Sequence, residues 1–313
     1  MRPTLVSIPI GDGIGLHSYG LLVGLGFAVA ILRLRRRGRR LGFDGGRLLD
    51  FAFWCLVVGL AGSRLTYVAV NAGAFWRACF DAAGAGGRLA GGCLAPLRFW
   101  EGGLVFYGGA AAAAAVAVWF CRKEGWSFSR LADAAAPSLS LGHVFGRLGC
   151  LLAGCCFGAP CAGPWGLPFP RGSVAFDDLR ADGALGWGAT HTMPLHPTQL
   201  YEAVGELAIF GLLVLLERRQ DRRAPPSRPG RLFLAYVASY AALRFVVELF
   251  RGDAARGHVV SWTAPRLAAA LGLPPEHALL LSTSQLASLI ALLLVGVAAY
   301  RRRRSRREPS SAP

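Results

Sequence analysis

Four side chains able to do chemistry recur at helical spacing in one apolar run: Tyr240, Arg244, Glu248 and Arg251. In a helix they form a single polar stripe. An Arg244–Glu248 pair at i,i+4 could satisfy itself, but that leaves Tyr240 and Arg251 unexplained. A second run carries His143 and Arg147 one turn apart, beside Gly142, Gly146 and Gly149, which offer a small-residue face for close packing. The plain reading of His143 is an interhelical hydrogen bond. Arg147 has two readings, a structural pair with an acid from another helix or a contact to an anion. A third run opens with His196-Pro197-Thr198-Gln199, and its Gln199, Glu202 and Glu206 share a face. Proline suits a helix start, and Glu202 lies early enough to feel the positive end of the dipole. His196 reads as a cap at that start or as a contact for a lipid headgroup. Arg64, Tyr67 and Asn71 make a further stripe, and His17 and Tyr19 open the first apolar run. Guanidinium groups grip phosphate oxygens with two parallel hydrogen bonds, so clustered arginines at a membrane surface suit a phosphate.

The elements that position these groups are apolar and long. Of 313 residues, 54% are hydrophobic and only 17% charged, against about 25% in soluble domains. The sequence predicts an all-α integral membrane protein of about seven spans: Leu16–Leu34, Arg47–Asn71, Gly103–Cys121, Leu131–Leu152, Pro197–Leu216, Leu232–Phe250 and Leu281–Tyr300. The net charge of +16 sits in short blocks between those runs, which is membrane topology and not a nucleic-acid face. Blocks after the odd-numbered spans hold 21 of the 34 basic residues and the opposite side holds nine. This places the N-terminus outside and the C-terminus in the cytoplasm. Residues 1–300 read as one polytopic domain, 151–196 as an outward loop between the fourth and fifth spans, and 301–313 as a basic cytoplasmic tail. Arg33–Arg40 after the first span fits a retained anchor better than a cleaved signal peptide. The polar groups gather at the outer ends of the spans. Gly11, Gly13 and Gly15 precede a span and do not follow a strand, so a phosphate loop is a weak reading.

The run Gly146-Arg147-Leu148-Gly149-Cys150-Leu151-Leu152-Ala153-Gly154-Cys155-Cys156-Phe157-Gly158 resembles the signature of the prolipoprotein diacylglyceryl transferases, in a Cys-rich form. His196-Pro197-Thr198-Gln199-Leu200-Tyr201-Glu202 is similar to a second family motif. Further similarities are His17-Ser18-Tyr19-Gly20, Gly62-Ser63-Arg64 with Tyr67, Trp100-Glu101-Gly102-Gly103, Arg244 through Arg251, and Ser284-Gln285, in family order along nearly the whole chain. The resemblance implies a bacterial inner-membrane enzyme with its active site towards the outer leaflet. Such an enzyme moves a diacylglyceryl group from phosphatidylglycerol to the lipobox cysteine of a preprolipoprotein signal peptide. A thioether forms, glycerol phosphate leaves, and no metal or redox cofactor is required. It also implies that Arg147 and Arg244 hold the lipid phosphate, that Tyr19 is a site tyrosine, and that Glu248 and Arg251 complete the polar network. His196, Gln199 and Glu202 join the lipid-binding set. Where many members have histidine after Trp-Glu-Gly-Gly, this chain has Tyr107, which could hydrogen-bond the lipid. Many members also have Asn, Asn and Glu where this chain has Cys150, Ala153 and Cys155.

Of eight cysteines, Cys55 and Cys121 lie in spans and read as packing. Cys79 and Cys93 share an outward segment where a disulfide is permitted. Cys150, Cys155, Cys156 and Cys161 cluster at the outer end of the fourth span. Their spacing lacks the paired C-x-x-C of zinc sites, so a structural disulfide using Cys161 is preferred over a metal. The competing functions are a secondary transporter, a non-catalytic or diverged lipid-binding paralogue, and a thiol-redox membrane protein. A transporter fits poorly, because the chain has no evident repeat and its polar groups avoid the midplane.

Overall fold

A computed structural model describes residues 4–8, 14–84, 93, 95–97, 103–222, 229–252 and 257–304. Trp100-Glu101-Gly102 and the tail from Ser305 onward lie outside the described residues. The chain sorts into two compact units, one of residues 1–33 with 132–313 and one of residues 34–131. Ten helices carry the described fold: α1 Ser18–Arg40, α2 Gly45–Val70, α3 Ala72–Gly84, α4 Phe106–Lys123, α5 Phe128–Ala153, α6 Val174–Ala181, α7 Thr198–Asp221, α8 Arg231–Glu248, α9 Pro265–Ala270 and α10 Thr283–Arg304.

Helices stand at all seven expected spans. Four of them, α1, α2, α7 and α10, are long and apolar enough to cross a membrane. The other three have physical reasons to fall short. α4 and α8 are 18 residues each, α4 ending on Arg122 and Lys123 and α8 carrying Arg231, Arg244 and Glu248. α5 carries Arg130, Asp133, His143 and Arg147 among its glycines and serines. The long helices keep large apolar side chains outward: Phe53 and Leu65 on α2, Val204 and Leu215 on α7, Leu293 and Leu294 on α10. In water such a surface would be a liability, and against acyl chains it costs nothing.

The all-α expectation needs one correction. Two antiparallel hairpins are present, β1 Thr4–Ile8 with β2 Ile14–His17, and β3 His258–Thr263 with β4 Ala278–Ser282. β3 is rich in β-branched and aromatic residues (Val259, Val260, Trp262, Thr263), which favour a pleated surface. Leu16 was expected to begin the first span, but it pairs with Val6, and the helix starts at Ser18.

In the unit of residues 34–131, α2 and α4 approach through Gly59, Gly62, Gly109 and Ala113, and a methyl on Gly62 would meet Ala112. Arg64 donates to Pro96 O at 2.8 Å and Gly103 O at 3.2 Å and lies over the Tyr67 and Phe75 rings. Asn71 turns back to Tyr67 O at 2.9 Å. This stripe therefore ties the helix end to its loop. Cys79 and Cys93 form a disulfide.

In the other unit, α5 packs on α1 through its small-residue face. A methyl on Gly142 would lie 3.4 Å from Ala30, and one on Gly149 would lie 3.1 Å from the Tyr19 ring, whereas Gly146 faces open space. Pro137 inside α5 cannot donate to the carbonyl four residues earlier. In that turn Asp133 reaches out to α8, accepting from Gly230 N at 2.7 Å and Phe233 N at 2.9 Å. Gly230, at the capping position before α8, has no side chain to cap the helix, so α5 supplies the cap. α10 caps itself. Ser282 Oγ accepts from Gln285 N and Gln285 Oε1 accepts from Ser282 N, a reciprocal capping box.

The expected outward loop is an ordered head. Ser173 caps α6 by accepting from Phe176 N, and Phe157, Phe169, Ala175 and Leu195 form its apolar core. The signature run passes between two other segments. Gly158 N donates to His196 O at 2.9 Å, and Ala159 N donates to Phe250 O at 2.8 Å. Gly158 is required there, because a methyl would sit 2.5 Å from His196 Cβ and 2.6 Å from Phe250 O.

Candidate active site

Three carboxylates meet inside the helices of the larger unit. Glu202 and Glu206 on α7 and Glu248 at the end of α8 are all 2% exposed or less. Buried carboxylates need partners. Glu202 is shared by two arginines from different helices, Arg147 Nη2 at 2.9 Å and Arg244 Nη1 at 3.6 Å. Arg244 also pairs with Glu248 at 2.6 Å and donates to Ser284 Oγ at 3.1 Å. The self-satisfied i,i+4 pair read from the sequence is therefore present, and Arg244 reaches beyond it to Glu202.

His143 links the two glutamates of α7. Its Nδ1 is 2.7 Å from Glu206 Oε1, and Arg147 Nε donates to its Nε2 at 3.2 Å. The ring thus takes the Arg147 guanidinium on one nitrogen and faces Glu206 with the other. Ser140 completes the cluster by donating to Glu206 Oε2 at 2.5 Å. The interhelical hydrogen bond expected of His143 is there. One of the two readings of Arg147, a structural pair with an acid from another helix, is present as well, with Glu202 as the acid.

Several buried polar atoms of the site lack a hydrogen-bond partner, Glu202 Oε1 and Glu248 Oε2 among them, each of which is ion-paired with an arginine. Arg244 Nη1 is buried without a hydrogen-bond partner, its Glu202 contact being beyond hydrogen-bond reach. Gln199 Oε1 and His196 Nε2 are buried in the same condition. Polar atoms left this way cost free energy unless a ligand or water completes them.

The loop after α5 brings three thiols together. Cys150, Cys155 and Cys156 place their sulfurs within 4.8 Å of one another. The turn that allows this is unusual. Cys156 has φ +57°, the one non-glycine in that region among the described residues, after Gly154 at +77°. Such a conformation costs about 1–3 kcal/mol and must be held by its surroundings. Two side chains of α7 hold it: Thr198 Oγ1 donates to Cys156 O and Gln199 Nε2 donates to Cys155 O, both at 2.7 Å. Hydrogen bonds from the Cys150 and Cys155 thiols pull the Cys156 thiol well below its ordinary pKa, with Arg251 and Arg147 adding to the effect. Cys155 moves the opposite way, raised by its hydrogen bonds to Cys150 and Cys156. The disulfide expected of Cys161 is not formed. That thiol is buried and turned to Gly163 O, away from the other three.

Of the residues singled out from the sequence, Arg147, Arg244, Glu202 and Glu248 form one network, and Gln199 joins it through the thiol loop. Arg251 lies within electrostatic reach of Cys156 and pairs its backbone with Gly158. Tyr19 lies against Gly149 at the thiol loop and is half-exposed. His196 is fully enclosed, its Nδ1 3.1 Å from Tyr201 Oη and its ring against Phe250, so it braces the head. Burial keeps its imidazole below the ordinary pKa. Tyr107 belongs to the other unit, in the first turn of α4, and is 64% exposed.

The family described as prolipoprotein diacylglyceryl transferase matches residues 4–301. The chain belongs to the prolipoprotein diacylglyceryl transferase family. It is a transferase of lipoprotein biosynthesis. A Clostridium tetani protein named phosphatidylglycerol–prolipoprotein diacylglyceryl transferase is 26% identical over 294 residues, covering 94% of this chain and 95% of its own. Proteins of the same name from Mycobacteroides abscessus and Rhodococcus jostii are each 35% identical over 77% of this chain. This chain spans 66% and 63% of their respective lengths.

Proposed function

We propose that this transferase takes the diacylglyceryl group of phosphatidylglycerol and places it on the lipobox cysteine thiol of a preprolipoprotein. The acceptor S–H bond gives up its proton to solvent, sulfur attacks the glyceryl carbon next to the phosphate, the carbon–oxygen bond breaks, and glycerol phosphate leaves with the electron pair. The diester carries one negative charge and the leaving monoester up to two. Cations at the phosphate therefore stabilise the transition state more than the bound lipid. Arg147 and Arg244 supply them, and Glu202 fixes both guanidiniums in place before lipid arrives. The observation that carries this reading is the buried Arg244 Nη1 with no hydrogen-bond partner, a donor free for a phosphate oxygen beside a second arginine. Gln199 acts by holding the thiol loop, Glu248 by orienting Arg244, and His196 by bracing the head on which Arg251 sits. Tyr19 borders the site from α1.

We place the site near the outer leaflet of the bacterial inner membrane, in a seven-span chain with its N-terminus outside. The arginine distribution supports this, and so does the Cys79–Cys93 disulfide, since disulfides persist on the oxidising side of that membrane. The full-length chain in detergent, given phosphatidylglycerol and a lipobox peptide, should add one diacylglyceryl mass to the peptide. A peptide with serine in place of the cysteine should gain nothing. A folded chain that leaves the cysteine peptide unchanged would overturn the proposal.

A further inference from the structure

We propose that Cys150, Cys155 and Cys156 form a three-thiolate site for a thiophilic divalent cation of the Zn²⁺ type, whose fourth position takes the acceptor thiol. The acceptor half of this rests on the proposed function. The metal half does not. Three observations carry it. The sulfurs already lie within 4.8 Å of one another, and tetrahedral ligands on zinc bonds of about 2.3 Å are about 3.8 Å apart, so closure needs shifts of about 1 Å or less. The ligand-bearing turn is held in advance. Cys156 takes a left-handed conformation, and α7 clamps the carbonyls of both Cys155 and Cys156. The charge is also suitable. Three thiolates on a dication leave one negative charge, and Arg147 and Arg251 lie within electrostatic reach of Cys156.

No fourth His, Cys, Asp or Glu joins the group among the described residues. Three protein ligands and an open position are the pattern of a catalytic rather than a closed structural site, and soft thiolates select zinc-like cations. The established acceptor of this family is itself a protein substrate, and the proposed acceptor atom is a thiol, the ligand type that such an open position prefers. On binding, the acceptor S–H bond breaks and its proton goes to solvent. The bound sulfur then forms the carbon–sulfur bond as the carbon–oxygen bond breaks and glycerol phosphate departs with the electron pair. No oxidation state changes.

The test uses full-length protein purified in detergent under reducing conditions and loaded with Zn²⁺ or Co²⁺. The expected result is one Zn²⁺ per chain and, with Co²⁺, a thiolate-to-cobalt charge-transfer absorption. Cys155→Ser should lose both, and Cys161→Ser should keep both. A cysteine lipobox peptide should shift the cobalt spectrum, and its serine counterpart should not. Stripping the metal should cut diacylglyceryl transfer at least tenfold, and Zn²⁺ should restore it. Wild-type protein that binds no metal, or that leaves the membrane with two of these thiols joined as a disulfide, overturns the metal site. Transfer measured in the same sample judges the proposed function separately. Metal bound with no peptide-dependent spectral shift overturns the acceptor position.

Discussion

Glu202→Gln tests the network at its centre. Glu202 is 2% exposed and serves Arg147 at 2.9 Å and Arg244 at 3.6 Å. Two opposite charges about 4 Å apart attract by about 4 kcal/mol at the effective dielectric of a partly screened site. Removing one member of a buried pair costs about 3–5 kcal/mol in stability. The loss is unequal between the arginines. Arg244 keeps Glu248 at 2.6 Å, whereas Arg147 loses its one carboxylate and keeps a hydrogen bond to His143. The variant should therefore fold with stability lowered by about 3 kcal/mol. The site also becomes one charge more positive, so phosphatidylglycerol should bind at least as tightly as before. Turnover should fall about 100-fold or more, because a misaimed guanidinium no longer meets the phosphate as charge develops. Thermal denaturation in detergent, lipid retention by native mass spectrometry and single-turnover transfer to a lipobox peptide measure the three effects. Wild-type turnover in a folded variant would refute the reasoning, since Glu202 would then be a passive counter-ion.

Three further outcomes are expected. His196 is held neutral below the ordinary histidine value of about 6.5. Below that pH the unfolded chain binds more protons than the folded one, so stability present above about pH 6.5 should decline as pH falls towards the folded value; His196→Gln should flatten that slope in a thermal-stability series, and an unchanged slope counts against the assignment. Asp133→Ala removes the cap that α5 provides for α8, so stability should fall by about 1–2 kcal/mol with lipid affinity unchanged, and an unaltered denaturation midpoint contradicts it. Trp187 is 99% exposed on the head, so a Trp187→Cys variant should react with an impermeant thiol reagent in intact cells; labelling only after the inner face is opened would reverse the proposed orientation.

Much of the site was legible because it lies on helices with fixed periodicity. The Arg244–Glu248 spacing and the shared face of Gln199, Glu202 and Glu206 follow from 3.6 residues per turn. Which helix faces which does not follow, because rotation about each axis is set by packing. The links from Glu206 to His143 and Ser140, and from Asp133 to Gly230, therefore needed the structure. The capping box of α10, Ser282 with Gln285, is a signal that the reading of the sequence missed, although Ser-x-x-Gln has a known mechanism. The thiol cluster was not readable as a ligand set. Its convergence depends on a left-handed backbone at Cys156, which cysteine rarely adopts and which no spacing rule anticipates. The hairpins were hidden for a related reason. Leu16 continues the apolar run of α1, so the strand and helix look like one segment.

The central claim is that Arg147 and Arg244 together hold the lipid phosphate during transfer. Lysine at either position keeps the charge and loses the planar two-pronged grip. The most direct measurement is therefore the single-turnover rate of diacylglyceryl transfer for Arg147→Lys and Arg244→Lys, with phosphatidylglycerol retention measured on the same samples. Both variants should retain lipid and transfer at least about 100-fold more slowly, a loss of about 2.7 kcal/mol of transition-state stabilisation. Transfer at the wild-type rate by either folded variant would contradict the claim.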